Sequence, residues 1–340
     1  DEAVDFLPGQ ALDVRLDKDE EMRGAHAAAP RIEPGTLKQI KVPGMLKRRT
    51  RIEPSGLVWI ADRGRYILVS DDTGRKGAQK NAPWLFSMDR AGQVDARPIP
   101  VSGIAAFGDL EAITRIGTSD LYVLSSQSFN RKGKRKARRQ LFARLSPRAN
   151  GYHAVNAVRF ADALETSSPE FKRSLGITST QNLDIEGMTA LGRSLLIGLK
   201  APLDAQGRAI IWKMSHPDRF LATGQLKDAG LTLWATLSAK VRVNAQPVPA
   251  GISDLLLAPD GSLLVGLTAS GINPRRQTGS VVWVPSPAPG VLKATPLRDF
   301  PGEKPEGIAL SPRAGKIIVV FDRGSRTPAW IELALPSRRR

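Results

Sequence analysis

One pattern recurs five times along the sequence, and this repetition constrains the fold more than any other feature. Each repeat opens with a small or acidic residue, continues through an apolar stretch and a tight turn, and ends in a run typical of a β-strand. The paired runs are 55–57 with 66–70, 111–113 with 121–124, 186–188 with 195–199, 254–256 with 263–267, and 306–308 with 317–321. Each repeat is therefore expected to begin as a β-hairpin.

Each hairpin is followed by a pair of residues, the first apolar and the second aromatic. The pairs are Leu85-Phe86, Leu141-Phe142, Ile211-Trp212, Val282-Trp283 and Ala329-Trp330. A large aromatic side chain on a third strand fills the interface between stacked sheets. We therefore expect an all-β chain that forms a β-propeller of five four-stranded blades. A six-bladed ring is the alternative, if residues 217–250, with Leu231–Leu237, contain a degenerate blade.

The repeats also define the domain boundaries. Residues 1–34 read as an acidic, irregular lead-in, residues 35–336 as a single propeller domain, and residues 337–340 as a basic tail. The last repeat has room for only one strand after Ala329, namely Trp330–Leu335. We expect Gly35–Val42 to supply the missing outer strand, which closes the ring and removes an exposed edge.

Composition limits the partners and the chemistry. The chain has 50 Lys and Arg residues against 33 Asp and Glu residues, a net charge of +17, which predicts attraction to polyanions. The alternative is that this charge only keeps the protein in solution. The absence of cysteine excludes disulfides, thiolate metal sites and Cys nucleophiles.

Two further features bear on location and enzyme class. No apolar run approaches the roughly 18 residues of a membrane helix. The chain starts at Asp1 rather than at a Met, from which we expect a processed N-terminus and a periplasmic or secreted protein rather than a cytoplasmic one. There is no G-x-S-x-G elbow, P-loop or dinucleotide fingerprint, which disfavours those enzyme classes.

Acidic residues open most of the repeats. The inner strands of a propeller line a central channel, so these positions are expected to form a ring at one mouth. We predict a divalent cation there, Ca²⁺ or Mg²⁺, because the available ligands are all oxygen. The alternative is that the carboxylates only accept backbone hydrogen bonds from the adjacent blade. The ring consists of Ser55, Glu111, Glu186, Asp254 and Glu306. The candidate metal ligands are its four acids together with three acids that each stand two residues before a ring member, namely Glu53, Asp109 and Asp184.

A second set of polar residues ends the second strand of each repeat. We expect this set at the opposite mouth of the channel, facing a small anionic ligand or a protein partner. Ordinary loop positions are the alternative interpretation. The set is Asp71, Ser126, Lys200, Thr268 and Asp322, with Asp72 and Gln127 beside it as further ligand-facing candidates.

The third candidate is a run of cations in the second repeat. A dense cation cluster in one hairpin loop can bind the phosphate groups of nucleotides, nucleic acid or lipid. No aromatic side chains interleave with it for base stacking, so nucleic acid is the disfavoured partner. A solvated loop is the alternative. The run comprises Arg131, Lys132, Lys134, Arg135, Lys136, Arg138 and Arg139.

Several of these segments together resemble a bacterial family of unknown function numbered 3616, over about residues 45 to 335. They are Asp109–Ala112, Tyr122–Ser126, Arg139–Phe142, Asn182–Gly187, Leu195–Pro202 and Gly251–Leu255. The chain has Gln127 where that family usually has His, and Lys200 where it often has Arg. The resemblance implies a propeller distantly similar to esterase-like phytases and to calcium-binding exported propellers. It implies no established activity.

Three functions follow as hypotheses. The first is an exported binding propeller that holds a divalent cation at its channel. The second is a metal-assisted hydrolase of phosphate or other esters, in which Lys200 or the basic run takes the anionic group. The third is a protein-interaction scaffold. The fold by itself does not choose among them, and whether the chain is an enzyme stays open.

Overall fold

The computed structural model describes residues 36–50, 52–71, 73–74, 81–117, 119–130, 132–244, 246–269 and 278–337. All of them belong to the compact unit Ile32–Arg340. The described part of the chain contains 22 strands and four short α-helices, so the prediction of an all-β chain is confirmed. Gly35, Asp72 and Arg131, which the sequence singles out, lie outside the described residues, as do the lead-in and the last three residues.

Most of the strands group into five antiparallel units of four, as counted over those residues. Before the first unit come β1 (Lys38–Gln39) and α1 (Gly44–Arg49). The first unit is β2 (Pro54–Ile60), β3 (Arg65–Ser70), β4 (Trp84–Met88) and β5 (Ile99–Ser102). The second is β6 (Leu110–Ile116), β7 (Asp120–Ser125), β8 (Leu141–Arg148) and β9 (Gly151–Arg159). A parallel contact between β5 and β9 joins these two units into one sheet.

Two helices, α2 (Phe160–Glu165) and α3 (Pro169–Ser174), lead into the third unit. This unit consists of β10 (Asp184–Leu191), β11 (Ser194–Ala201), β12 (Ala209–Met214) and, after α4 (Pro217–Thr223), β13 (Leu231–Leu237). Residues 217–250 thus provide α4, the outer strand of the third unit and the following hairpin. They form no additional four-stranded unit in the described part of the chain.

The fourth unit contains β15 (Gln246–Leu257), β16 (Leu263–Ala269), β17 (Gly279–Val284) and β19 (Thr295–Phe300). Two short strands flank it: β14 (Lys240–Val243) pairs with β15, and β18 (Gly290–Leu292) runs parallel to β13. The fifth unit has three strands of its own, β20 (Lys304–Leu310), β21 (Lys316–Asp322) and β22 (Ala329–Ala334). Its fourth strand is β1, with Lys38 opposite Trp330, so an N-terminal strand completes the last unit as the sequence predicts.

The apolar core lies between the units. Each unit shares one cluster of buried residues with the next, and the fifth unit shares one with the first. The aromatic positions of the repeats supply several of its large members: Phe86, Phe142 and Trp212 are fully buried, and Trp330 is nearly so. Trp283, the aromatic of the fourth repeat, is only partly buried. The Trp212 indole Nε1 donates a hydrogen bond to the Leu175 carbonyl at 2.8 Å, so its polar group is also satisfied.

The inner strands contact one another in cyclic order. β2 touches β6, β6 touches β10, β10 touches β15, β15 touches β20, and β20 returns to β2. The starts of the five inner strands are thereby brought together. Among the described helices none has the length and apolar character needed to cross a bilayer.

Candidate functional site

The two sets of polar residues predicted for opposite mouths lie at the same end of the inner strands. In each hairpin the start of the inner strand pairs with the end of the next strand, as Lys304 does with Asp322. In the third unit the Lys200 ammonium reaches Asp184. The prediction of two separate mouths is therefore wrong, because an antiparallel hairpin returns the chain to the end where it started.

A β-bulge near the start of every inner strand leaves one residue per unit without a partner on the neighbouring strand. The residues left out of the pairing are Ser55, Glu111, Glu186, Ser253 and Glu306. A bulge takes one residue out of the ladder and re-aims its side chain. Four of the predicted ring residues occupy this position, but in the fourth unit it belongs to Ser253. The assignment of Asp254 to the ring is wrong by one residue.

Asp254 instead holds two units together. One carboxylate oxygen accepts a hydrogen bond from the backbone N–H of Leu255 at 2.8 Å, and the other accepts from Ile308 on β20 at 2.7 Å. Burial raises the pKa of Asp254, and these backbone N–H groups oppose the rise because they stabilise the ionised form. For Asp254 the structure therefore supports the alternative interpretation, in which the carboxylate accepts backbone hydrogen bonds from the adjacent unit.

Two lysines and two glutamates form one part of the cluster. The Lys304 ammonium lies 2.5 Å from Glu306 Oε1 and 3.5 Å from Glu186 Oε1. Lys200 lies 2.5 Å from the same oxygen of Glu186 and 3.5 Å from Asp184 Oδ2. The second oxygens of Glu186 and Glu306 are buried, and no hydrogen-bond donor of the described residues reaches them. The cluster thus retains acceptor capacity for a ligand.

Three further carboxylates converge beside this group. Asp71, Asp109 and Glu111 each offer an oxygen within 4.8 Å of the others. The peptide N–H of Asp109 donates to the Asp71 carbonyl at 3.1 Å, which joins the first unit to the second at this point. Ser126 Oγ donates to Asp109, and Arg139 forms an ion pair with the same carboxylate oxygen.

Burial and mutual repulsion keep protons on several of these acids. Burial, and then the neighbouring Asp109, raises the pKa of Asp71 to about 9. Burial raises the pKa of Glu306 to about 8 and that of Asp184 to about 6, although Lys304 and Lys200 lower them. Burial and the charge of Glu186 also raise the pKa of Glu111. The cluster near neutral pH therefore carries fewer negative charges than it has carboxyl groups.

The two lysines of the cluster keep their protons, because the neighbouring carboxylates stabilise the charged form. Burial lowers the pKa of Lys200 and of Lys304, but the surrounding carboxylates outweigh burial, so both pKa values lie above the usual range. Both ammonium groups stay charged. The site therefore combines fixed cations, ionised carboxylates and protonated carboxylic acids within a few ångströms, an arrangement that suits metal binding or proton transfer.

Gln127 and Thr268, which the sequence places among the ligand-facing residues, are both buried. Gln127 is fully buried: its amide nitrogen donates to the Ser125 carbonyl at 2.8 Å, and its amide oxygen accepts from Ala161 N–H at 3.0 Å. Because both ends of the amide are used by the backbone, the prediction that Gln127 faces a ligand is wrong. Thr268 is buried opposite Gly251.

Asp322 and Glu53 lie at the same end of the molecule as the cluster. Asp322 is partly exposed, and its Oδ1 accepts a hydrogen bond from Gly324 N–H at 2.9 Å within the following turn. The carbonyl of Glu53 accepts from Asp71 N–H at 3.2 Å, and its charge contributes to the raised pKa of Asp71. Both residues border the cluster.

The basic run divides into two parts. Lys132, Lys134 and Lys136 are exposed, as a polyanion-binding loop requires. The Arg135 guanidinium lies 2.5 Å from Glu165 Oε1 and stacks over the Phe129 ring, while Arg139 reaches Asp109 in the cluster. Arg138 packs along Gly108. These three arginines are thus used within the fold, which leaves the three lysines for an external anion.

Lys304 is the principal residue that sequence reasoning missed. It stands two residues before Glu306, in the same relation that Glu53, Asp109 and Asp184 have to their ring members. The same two-residue spacing in the fifth repeat is the sequence signal that marks Lys304.

Comparison with known proteins gives distant structural similarities. No protein-family model matches the sequence, and no curated protein matches it. Membership of the family numbered 3616 therefore stays a prediction.

Among solved structures, the chain is similar to a luciferin-regenerating enzyme at 9% identity and a TM-score of 0.42, covering 88% of this chain and 95% of the other. It is similar to the Malassezia sympodialis allergen Mala s 1 at 10% identity and a TM-score of 0.48, covering 89% and 98%. An exo-β-1,3-galactanase from Phanerochaete chrysosporium matches at 8% identity and a TM-score of 0.44, covering 85% and 64%. Similarity at this level carries no inference about activity.

Proposed function

We propose that the chain is a five-bladed β-propeller and that its buried polar cluster is a ligand-binding site built around a divalent cation. The cyclic contacts of the five inner strands and the cluster of buried apolar residues between each pair of units support the propeller. Export to the periplasm or beyond stays a prediction, since nothing in the described residues bears on it.

The observation that carries the cation proposal is the convergence of Asp71, Asp109 and Glu111 within 4.8 Å. One arginine pairs with Asp109. Burial, and then the neighbouring Asp109 and Glu53, raise the pKa of Asp71 to about 9, so part of this rise is repulsion between the acids. A divalent cation would relieve that repulsion. Carboxylate oxygens are the ligands of Ca²⁺ and Mg²⁺, and Ca²⁺ tolerates the irregular geometry of a site assembled from two units.

The test is thermal unfolding of the full chain with a chelator, and then with calcium or magnesium added back. A cation that binds only the folded state stabilises it by mass action, so we expect calcium to raise Tm by several degrees. The double variant Asp71→Asn, Glu111→Gln should lose the response. Glu303→Gln, which removes a carboxylate paired with Arg323 and Arg326, should keep it.

The cation proposal fails if neither ion shifts Tm at any pH between about 6 and 9, or if the double variant responds like the wild type. Calorimetric titration with calcium provides the independent check. It should report one site in the wild type and none in the double variant.

A second candidate, a metal-assisted ester hydrolase, is favoured by a different observation. Protonated and ionised carboxyl groups lie next to two lysines and an arginine, so the site has an acid, a base and anion-binding groups together. In this interpretation Lys200 and Arg139, which are both partly exposed, would take the anionic part of the substrate.

Hydrolysis of p-nitrophenyl phosphate and p-nitrophenyl acetate with calcium or magnesium tests this candidate. The hydrolase is supported if Lys200→Met lowers the activity at least tenfold and Lys227→Met, at an exposed position, leaves it unchanged. Calcium binding without turnover of either ester would favour the binding protein over the hydrolase, so the two proposals fail separately.

A further inference from the structure

A surface patch around α1 concentrates positive charge without any negative charge. Residues 36–50 contain five Lys and Arg residues and no Asp or Glu. We define the α1 patch as Lys41, Met45, Lys47, Arg48 and Arg49, all of which are exposed. Met45 lies among these cations with 60% of its surface exposed.

The patch is held in place by the fold. Leu46, between Met45 and Lys47, is buried in the apolar cluster that joins the fifth unit to the first. Thr50 N–H donates to the Leu46 carbonyl at 2.9 Å and ends the helix. The Arg49 guanidinium lies 5.3 Å from the centre of the partly exposed Trp84 ring. The exposed side of α1 is therefore presented in a fixed orientation.

Three of the four cations of the patch have no carboxylate partner within the part of the chain that the structure describes. Lys41, Lys47 and Arg48 have no ion-pair partner among those residues. Cations without acidic partners on one surface attract a polyanion, and their long side chains can bury their methylenes while the charged ends stay hydrated.

We propose that the α1 patch docks the protein on an anionic phospholipid surface. Met45 decides between lipid and nucleic acid as the partner: an exposed thioether ringed by cations matches the boundary between headgroups and acyl chains, whereas phosphate contacts along a nucleic acid need no apolar contact. The partly exposed Trp84 beside Arg49 suits the same boundary. This proposal is independent of the ligand site.

Docking would also orient the site. Arg49 stands four residues before Glu53, which borders the polar cluster. A membrane bound at α1 would therefore lie on the side of the molecule where the inner strands begin.

The experiment is sedimentation of the full chain with vesicles of phosphatidylcholine, with and without about a third of phosphatidylglycerol. Each Lys or Arg near an anionic surface contributes about a fivefold gain in partitioning, so Lys47→Glu with Arg48→Glu should lower binding by about 25-fold or more. Met45→Ser should lower it severalfold while leaving its salt dependence unchanged.

The matched control is Arg219→Glu with Lys227→Glu, which makes the same charge change at exposed positions around α4. It should retain vesicle binding. The proposal is overturned if the control loses as much binding as the α1 variant, if vesicles are not bound at all, or if Met45→Ser has no effect. It is also overturned if the α1 variant loses binding to a duplex DNA while still binding vesicles, since nucleic acid is then the partner.

Discussion

Replacing Glu306 with Gln should make the protein more stable at alkaline pH. Glu306 is buried, accepts one hydrogen bond from Lys304 at 2.5 Å, and has a second oxygen that no described donor reaches. Gln keeps the shape of the side chain and one acceptor for Lys304, and it removes the charge that Glu186 repels.

The magnitude follows from the pKa of Glu306, which is raised from 4.5 to about 8. Between these two values the folded protein holds a proton that the unfolded chain has released, so stability falls as the pH rises through this window. A difference of about 3.5 pKa units corresponds to about 5 kcal/mol. Because neighbouring acids share the proton, we expect Glu306→Gln to gain about 2–5 kcal/mol above about pH 8 and nothing below about pH 4.5.

Urea unfolding of the wild type and the variant at about pH 5 and about pH 9, without divalent cations, measures this difference. Glu303→Gln, at a carboxylate paired with two arginines, should lower stability at the higher pH. If Glu306→Gln is destabilised by more than about 1 kcal/mol at pH 9, then Glu306 is ionised and its pairing with Lys304 is net stabilising, which refutes the reasoning.

Three further outcomes are expected. Asp254→Asn should lower the free energy of unfolding by about 2–4 kcal/mol in urea, because its amide group would face a backbone N–H that now donates to a carboxylate oxygen. Gly251→Ala should lower it by about 3 kcal/mol or more, since the added Cβ would lie 1.9 Å from the Lys200 carbonyl oxygen, while Gly44→Ala, with open space around it, should stay within about 0.5 kcal/mol. Calcium affinity measured by calorimetry should rise between about pH 6 and pH 9, because Asp71, with a pKa of about 9, must lose its proton to bind the ion; a flat profile would exclude Asp71 as a ligand.

Much of the fold could be predicted because it depends on neighbours in the chain. Hairpins such as Arg65–Ser70 against Pro54–Ile60 form across short turns, so local apolar runs and turn residues are enough to predict them. The aromatic of each third strand was predictable for the same reason, since it follows its own hairpin in the chain; it is buried in four of the five units, and Trp283 is partly buried. Even the strand that completes the fifth unit could be inferred, because Trp330 would otherwise border an unpaired edge.

The site was only half predictable, and the missing half depends on long-range geometry. A bulge of one residue decides that Ser253 rather than Asp254 takes the ring position, and no change in composition marks it. Lys304 joins Glu186 only because units far apart in the chain meet at the inner strands. Arg139 was likewise predicted to lie in a surface loop, but it forms an ion pair with Asp109 in the cluster.

The sequence by itself determined that the chain repeats a β-hairpin unit five times and that carboxylates gather where the inner strands begin. Only the tertiary structure decided which of them meet and that lysines lie between them. The physical reason is that pairing within a hairpin depends on residues close together in the chain. The charge balance of a buried site depends instead on side chains contributed by several separate units, and on burial that no single unit has alone.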